Sequence, residues 1–168
     1  MRRVLTFVTP PLADDVEIAG PIELVLHIAS SRDDTDVFVK LSEQMAQAPE
    51  DRARDLQPAS RIATKGWLRA SMRAVDAKLS RPHAPHYAHK KSDKLVPGRA
   101  YKLSVAVMPT AYRFKRGNRI RLELANGDSS VTENVFAHPY TPDKVGRDTI
   151  HHDARRPSHL ILPLVRSR

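Results

Sequence analysis

In this sequence of 168 residues, histidine is the residue type whose number and spacing offer the most chemistry. His83, His86 and His89 recur at every third position. Neutral imidazoles are zinc ligands, and three of them could form an open catalytic site. Pro82 and Pro85 interrupt the stretch, so no helix can align the three rings on one face. We therefore favour an exposed polar loop over a zinc site, and we predict no cofactor and no metal.

Serine nucleophiles lack their usual setting in this chain. The nucleophile elbow of α/β-hydrolases needs Gly-x-Ser-x-Gly, because the strained turn leaves no room for side chains. No serine lies between two such glycines. The stretch His151-His152-Asp153 has no identifiable nucleophile beside it, and Ser129, Ser130 and Ser158 are typical of loops or strand starts. Cysteine is absent, which excludes disulfides, thiolate metal sites and thiol nucleophiles. We predict no catalytic residue.

Carboxylates cluster once, in Asp33-Asp34-Thr35-Asp36. Carboxylate oxygens are calcium ligands, but the twelve-residue loop with its terminal Glu is missing. A turn with aspartate side chains bonded to nearby backbone is the commoner structure for such a cluster. Neither Gly-x-Gly-x-x-Gly nor a P-loop occurs, so phosphate binding on a glycine-rich loop is unsupported.

The elements that must position these residues are indicated by alternation of apolar and polar residues. Period two places successive side chains on opposite faces of a sheet, which predicts half-buried strands. Such segments are centred on Val4–Val8, Val16–Ile18, Ile22–Ile28, Val37–Leu41, Ile62–Met72, Leu103–Val107, Ile120–Leu124 and Leu160–Leu164. Helices of crossover length are missing between them, which argues against a parallel α/β fold.

Prolines and turn motifs between the strands support an all-β fold. Thirteen prolines argue against a mostly helical protein. Gly20-Pro21, Pro97-Gly98 and Lys115–Asn118 predict turns. One helical turn is expected near Glu50–Leu56, and long loops are expected near residues 44–60, 75–97 and 126–148. The prediction is one antiparallel β-sandwich or jelly roll spanning residues 1–168.

Charge is concentrated in the middle third of the chain. The formal net charge is +9, and residues 61–121 hold 16 basic and 2 acidic residues, or +14. Basic strand positions there, together with the single tryptophan, form a candidate interaction surface: Arg61, Lys65, Arg69, Arg73, Arg119, Arg121 and Trp67. Nucleic-acid platforms interleave aromatics that stack on bases. Aromatic residues are only 5% of this chain, which argues against nucleic acid.

The ordered motifs of the chain resemble a known family. They include Leu5–Leu12, Glu17–Pro21, Asp34–Leu41, Gly66–Ser71, Pro97-Gly98, Pro109–Phe114, Gly117–Leu122, His152–Ala154 and Pro157–Pro163. Together they are similar to the C-terminal jelly-roll domain of the cocaine-esterase and X-prolyl dipeptidyl-peptidase family of serine hydrolases. Asn118 departs from the His common in relatives, which we interpret as a variation of the turn.

The resemblance implies a galactose-binding-like β-sandwich that packs on an α/β-hydrolase domain and helps wall its active site. That domain carries the catalytic serine, aspartate and histidine of the family and is absent from this chain, so no catalytic residue carries over. We expect an inactive accessory domain whose partner is a hydrolase domain in cis or in trans, or a second copy. Whether the chain is separately encoded or part of a longer enzyme stays open.

Two alternatives are kept beside this interpretation. One is a carbohydrate- or polyanion-binding module that uses the basic face of residues 61–121, and the other is a histidine-based metal site. No run of 18 apolar residues occurs, so no membrane span is predicted. The absence of cysteine favours a reducing cytoplasm.

Overall fold

The computed structural model describes residues 4–127 and 145–165. The strands are β1 (Leu5–Val8), β2 (Val16–Ser30), β3 (Asp36–Gln44), β4 (Ser60–Arg69), β5 (Ala100–Phe114), β6 (Arg119–Ala125), β7 (Asp148–Asp153), β8 (Arg156–Pro157) and β9 (His159–Ile161). A single α-helical turn, α1 (Pro49–Ala53), lies between β3 and β4, and a 3₁₀ turn (Ala70–Met72) follows β4. No helix within these ranges has the length and apolar content to cross a membrane.

The strands form one antiparallel sheet in the order β1-β6-β3-β4-β5-β2-β7-β8, and β9 pairs with β2. Only one residue pair, Gly66 with Val107, joins β4 to β5, and there the sheet curls. A Cβ atom on Gly66 would lie 2.4 Å from the backbone oxygen of Ala106. Glycine therefore lets the two strands approach closely.

The core lies inside this curl. Its members come from one face of each central strand: Ile22, Leu24, Leu26, Ile28, Val37, Val39, Leu41, Leu68, Leu103, Val105, Val107 and Leu124. Alternate residues of β3, β4 and β6 point to the other side of the sheet, which we call the outer face. The all-β sandwich class predicted from the alternation is confirmed, while the jelly-roll description stays a prediction.

Three strand predictions were wrong in detail. The strand predicted for Leu160–Leu164 ends at Ile161. Val16–Ile18 and Ile22–Ile28 belong to one strand, β2, whose register against β5 shifts between Gly20 and Ile22. Gly20-Pro21 is therefore a bend within a strand and not a turn before one. The strand predicted to reach Met72 stops at Arg69, and Ala70–Met72 forms a 3₁₀ turn.

The turns and loops follow the sequence more closely. Gly98 and Gly117 adopt positive φ values of 79° and 81° before β5 and β6, as the predicted turns require. The helical turn predicted near Glu50–Leu56 is α1. Loops cover residues 45–59 and 73–99, and most of the third predicted loop lies outside the described residues, with Ser129, Ser130 and His138.

Candidate docking surface

An aromatic row crosses the outer face at one end of β3 and β4. Trp67 on β4 pairs in register with Phe38 on β3, and Phe38 pairs with Ala125 on β6. The Trp67 side chain is 58% exposed, although tryptophan usually buries most of its surface. Residues paired across antiparallel strands point to the same side of a sheet, so the row exposes apolar area on the outer face.

A cleft of about 240 Å³ opens beside Trp67. Its lining consists of Asp36, Val37, Phe38, Trp67, Leu68, Arg69 and Met72. Arg69 Nε donates a hydrogen bond of 2.8 Å to Asp36 Oδ1, and the Asp36 side chain is nearly buried. The cleft therefore combines aromatic area with an arginine whose charge is matched within the domain. We call this region the Trp67 face.

Two of the six predicted basic positions are not on the outer face. The register between β3 and β4 shifts between Leu41 and Ser42. Arg61 consequently pairs with Glu43 and takes the same side of the sheet as Leu41, so its predicted parity was wrong. Arg73 lies beyond the strand, where Nη1 donates to the Ala70 carbonyl at 3.1 Å and the guanidinium pairs with Asp93.

The basic residues that do reach the outer face are largely engaged within the sheet. Arg121 Nη2 lies 2.9 Å from Glu123 Oε1, and its Nη1 donates to Gln44 at 3.2 Å. Arg119 Nη1 donates to the Thr9 carbonyl at 2.7 Å. Lys65 lies opposite Lys40, so like charges face each other there. An aromatic patch beside arginines that are bonded within the sheet is typical of protein interfaces, where tryptophan and arginine are enriched at hot spots.

Several exposed cations lie on the loop of residues 73–99. Lys78, Arg81, Lys90 and Lys91 are exposed, and none of them belongs to the ion pairs found within residues 4–127 and 145–165. The loop is held in place by Tyr87, whose Oη donates to the Ser104 carbonyl and accepts from the Ala106 amide, both at 2.8 Å. The loop therefore presents exposed positive charge from a fixed position.

The histidines of this loop do not converge. His83 Nδ1 lies 3.2 Å from Glu23 Oε2, and His89 lies edge-on to the Tyr87 ring. Within residues 4–127 and 145–165, no group of three or more His, Asp or Glu side chains could hold a metal ion. The structure therefore gives the metal alternative no site in those ranges.

The other candidate side chains have structural partners. Asp34 accepts hydrogen bonds from the neighbouring Thr35 amide and from the amide and hydroxyl of Ser71, 37 residues away, so it joins its loop to the 3₁₀ turn after β4. Ser158 Oγ donates to the His151 carbonyl at 2.5 Å and accepts from the His27 amide at 2.8 Å. These contacts fasten β7 and the following segment to β2.

Sequence reasoning missed the buried carboxylate of Glu43. Its Oε1 accepts from the Lys115 amide at 2.7 Å and from Asn118 Nδ2 at 2.8 Å, and its Oε2 accepts from Tyr112 Oη at 2.8 Å. Burial raises the pKa of Glu43, but these hydrogen bonds and the charge of Arg61 outweigh it and leave the pKa below its usual value. Asn118, which departs from the His common in relatives, is thus a hydrogen-bond donor to this carboxylate.

Comparisons with known proteins agree on one family. The model of the X-Pro dipeptidyl-peptidase C-terminal non-catalytic domain matches residues 2–161. A protein of Mycobacterium tuberculosis (strain CDC 1551 / Oshkosh) named as a serine esterase is 31% identical over 134 residues. The match covers 76% of this chain and 19% of that protein, so the chain spans about a fifth of this curated relative.

Solved structures show the same fold. A CocE/NonD family hydrolase from Staphylococcus aureus superposes with a TM-score of 0.79 at 19% identity, covering 98% of this chain and 33% of that one. An α-amino acid ester hydrolase superposes with a TM-score of 0.66 at 17% identity, covering 96% of this chain and 25% of that one. In each case the similarity covers a minor part of a longer chain.

Proposed function

This chain belongs to the family of X-Pro dipeptidyl-peptidase C-terminal non-catalytic domains, and we propose that it is the accessory domain of a serine esterase or related hydrolase. In this proposal the Trp67 face packs on an α/β-hydrolase domain, in cis or in trans, and helps to wall its active site. The chain supplies no catalytic residue. The same proposal includes a galactose-binding-like fold for the β-sandwich and a cytoplasmic location. The absence of cysteine favours that location.

The observation that carries the proposal is the exposure of Trp67 beside a cleft whose charges are already matched. Exposed apolar patches on soluble domains mark interaction sites. The ion pair of Arg69 with Asp36 can enter an interface without leaving an uncompensated charge. The mycobacterial and staphylococcal relatives are several times longer than their matched regions, so each has protein available to cover such a face.

The test is a chimera in which this chain replaces the matched region of the mycobacterial protein. We expect one cooperative unfolding transition and hydrolysis of p-nitrophenyl butyrate. Trp67→Ala should lower the denaturant midpoint and the activity of the chimera, since truncating a hot-spot tryptophan costs about 2 kcal/mol or more. In the isolated chain the same change should stay within about 0.5 kcal/mol, because the side chain is exposed.

Leu79→Ala is the matched control, because Leu79 is also a large exposed apolar side chain, at 61%, but lies on the loop of residues 73–99. It should leave the chimera unchanged. If Trp67→Ala leaves the chimera unchanged too, the Trp67 face is not the contact with the hydrolase domain.

A second candidate function is polyanion binding, and the exposed cations of the loop favour it. Lys78, Arg81, Lys90 and Lys91 would carry the contact, and not Arg69 and Arg121 as the sequence suggested. Affinity for a heparin oligosaccharide should then fall steeply with salt, and Lys90→Ala with Lys91→Ala should reduce the slope by about 2. Flat binding at low salt would exclude this function.

A further inference from the structure

A row of basic side chains crosses β5, β2 and β7 on the side of the sheet opposite to the core. His27 on β2 pairs in register with Lys102 on β5 and with His151 on β7. Residues paired across antiparallel strands point to the same side of a sheet, so these three side chains are neighbours. Leu26 and Ile150, one position away, pack into the core instead. We call Lys102, His27 and His151 the basic row.

One contact at the end of the basic row requires a neutral imidazole. Arg156 Nη1 lies 3.3 Å from His151 Nε2. A guanidinium only donates hydrogen bonds, so Nε2 is the acceptor and carries no proton. The same guanidinium bonds to Asp153, whose Oδ2 lies 3.1 Å from Nε and 2.9 Å from Nη2. The folded arrangement therefore holds His151 in its neutral form.

The two histidines of the row also take part in attaching the last strands to β2. Ser158 Oγ accepts from the His27 amide at 2.8 Å and donates to the His151 carbonyl at 2.5 Å. This bridge lies where the pairing partner of β2 changes from β7 to β9. A displacement of His151 therefore also breaks the bridge between β2 and residues 148–161, which we call the C-terminal segment.

The surroundings of His151 offer little to balance a second positive charge. The charged and titratable side chains on this side of the neighbouring elements are Lys102 of β5, Glu23 and His27 of β2, Asp153 of β7, Arg155 of the turn after it, Arg156 of β8, His159 of β9 and His83 of the loop of residues 73–99. Both carboxylates have partners: Asp153 bonds to Arg156, and Glu23 Oε2 lies 3.2 Å from His83 Nδ1. A proton on His151 would therefore lie among cations.

We propose that the C-terminal segment is an acid-sensitive clasp, docked on β2 at neutral pH and released from it as the histidines of the basic row are protonated, between about pH 7 and 5. A proton on His151 Nε2 removes the acceptor for Arg156 and leaves two cations 3.3 Å apart. A proton on His27 adds a third charge beside them. Such a protonation biases a segment between a closed and an open state, and the Trp67 face takes no part in it.

The loop of residues 73–99 responds to acid in the opposite sense. When His83 is protonated, its contact with Glu23 becomes a charge-assisted hydrogen bond, which is stronger than a neutral one. The contribution of His83 is thus present at low pH and lost as the pH rises, whereas that of His151 is present at high pH and lost as the pH falls. One change of pH therefore tightens one segment on β2 and loosens the other.

Hydrogen exchange of the whole chain at pH 7.5 and 5.5, corrected for intrinsic exchange rates, tests the release. Protection of the C-terminal segment should fall about tenfold relative to β3, because two unit charges 3.3 Å apart disfavour the closed state by about that factor even at the dielectric constant of water. His151→Gln should abolish the fall, since the glutamine oxygen accepts from Arg156 and takes up no proton. The matched control is His152→Gln, whose side chain points to the other side of β7; it should leave the fall unchanged.

A second pair of variants keeps the proposal falsifiable if His151→Gln does not fold by circular dichroism. Arg156→Gln removes the repelling charge, so it should lower protection at pH 7.5 and reduce the further fall at pH 5.5. His83→Gln should remove only the gain in protection that the loop shows at pH 5.5. Equal protection of the C-terminal segment at both pH values, a fall that His151→Gln and Arg156→Gln leave intact, or the same loss in every strand overturns the proposal.

Discussion

Replacing Glu43 by glutamine tests what joins β3 to β5 and to the turn that follows β5. Glu43 is 4% exposed and joins β3 to the turn between β5 and β6, through Tyr112, Lys115 and Asn118. Glutamine has nearly the same shape: its Oε1 can still accept from Lys115 and Asn118, while its Nε2 would donate to Tyr112 Oη instead of accepting from it. The experiment therefore removes the charge and reverses one hydrogen bond without removing side-chain volume.

The expected cost at pH 7 is about 2 kcal/mol of unfolding free energy. Hydrogen bonds to a charged group contribute roughly 1.5–3 kcal/mol each, against about 1 kcal/mol for neutral ones. The substitution weakens three hydrogen bonds, but it also removes the cost of burying a charge. The net loss of unfolding free energy is therefore smaller than the sum of the three bond contributions. Glu17→Gln is the matched control, because Glu17 is exposed and its partner Arg113 lies 3.0 Å away. Exposed pairs of this kind contribute about 0–1 kcal/mol.

The stability that the Glu43 carboxylate contributes depends on pH in a definite direction. The pKa of Glu43 is lowered in the folded chain, so its stabilisation is fully present above the unfolded pKa of about 4.3. It is lost as the pH falls through the lower, folded value. Urea unfolding of the natural chain and Glu43→Gln should show the full difference at pH 6–7, and the two should converge at the acid end. A difference that is below about 0.5 kcal/mol at pH 7, or that does not change with pH, would show that the charge of Glu43 does not stabilise the fold.

Four further substitutions probe the scaffold. Gly66→Ala should cost at least about 3 kcal/mol in urea unfolding, because its Cβ would contact β5 backbone at 2.4 Å, whereas Gly98→Ala, with nothing within 4 Å, should cost only about 1 kcal/mol for its positive φ. Burial and the bond to Glu43 raise the pKa of Tyr112 to about 12. The stability that Tyr112 contributes is therefore full below pH 10 and falls as the pH rises through 12. In an alkaline titration, the difference in unfolding free energy between the natural chain and Tyr112→Phe should disappear in that range. Tyr87→Phe leaves two backbone groups of β5 without a partner and should cost about 1–3 kcal/mol, with faster trypsin cleavage at Lys90 as the readout.

Most of the fold could be predicted from the sequence because its strands are half-buried and antiparallel. Alternation in Val37–Leu41 and Ile120–Leu124 reports burial on one face, and the structure places those residues as expected. Alternation cannot report a bulge or a bend, since it assumes an unbroken period. That is why Gly20-Pro21 was interpreted as a turn.

The same limit explains the errors in the candidate surface. A single register shift in β4 moved Arg61 to the other face, and the end of the strand at Arg69 redirected Arg73. Exposure of Trp67 followed from its parity with the cations. The ion pair of Arg69 with Asp36 could not be predicted, because contacts between neighbouring strands depend on a strand pairing that one sequence does not specify. Glu43 was missed for the same reason, since its partners lie about 70 residues away.

The central claim is that this chain is a non-catalytic domain, and a turnover measurement tests it most directly. The purified chain is assayed with p-nitrophenyl butyrate and with an X-Pro p-nitroanilide, beside buffer and heat-denatured controls. For a non-catalytic domain, the rates with both substrates should be indistinguishable from those controls. Turnover that persists through a second purification, and that a single substitution in this chain abolishes, would show that the chain is catalytic.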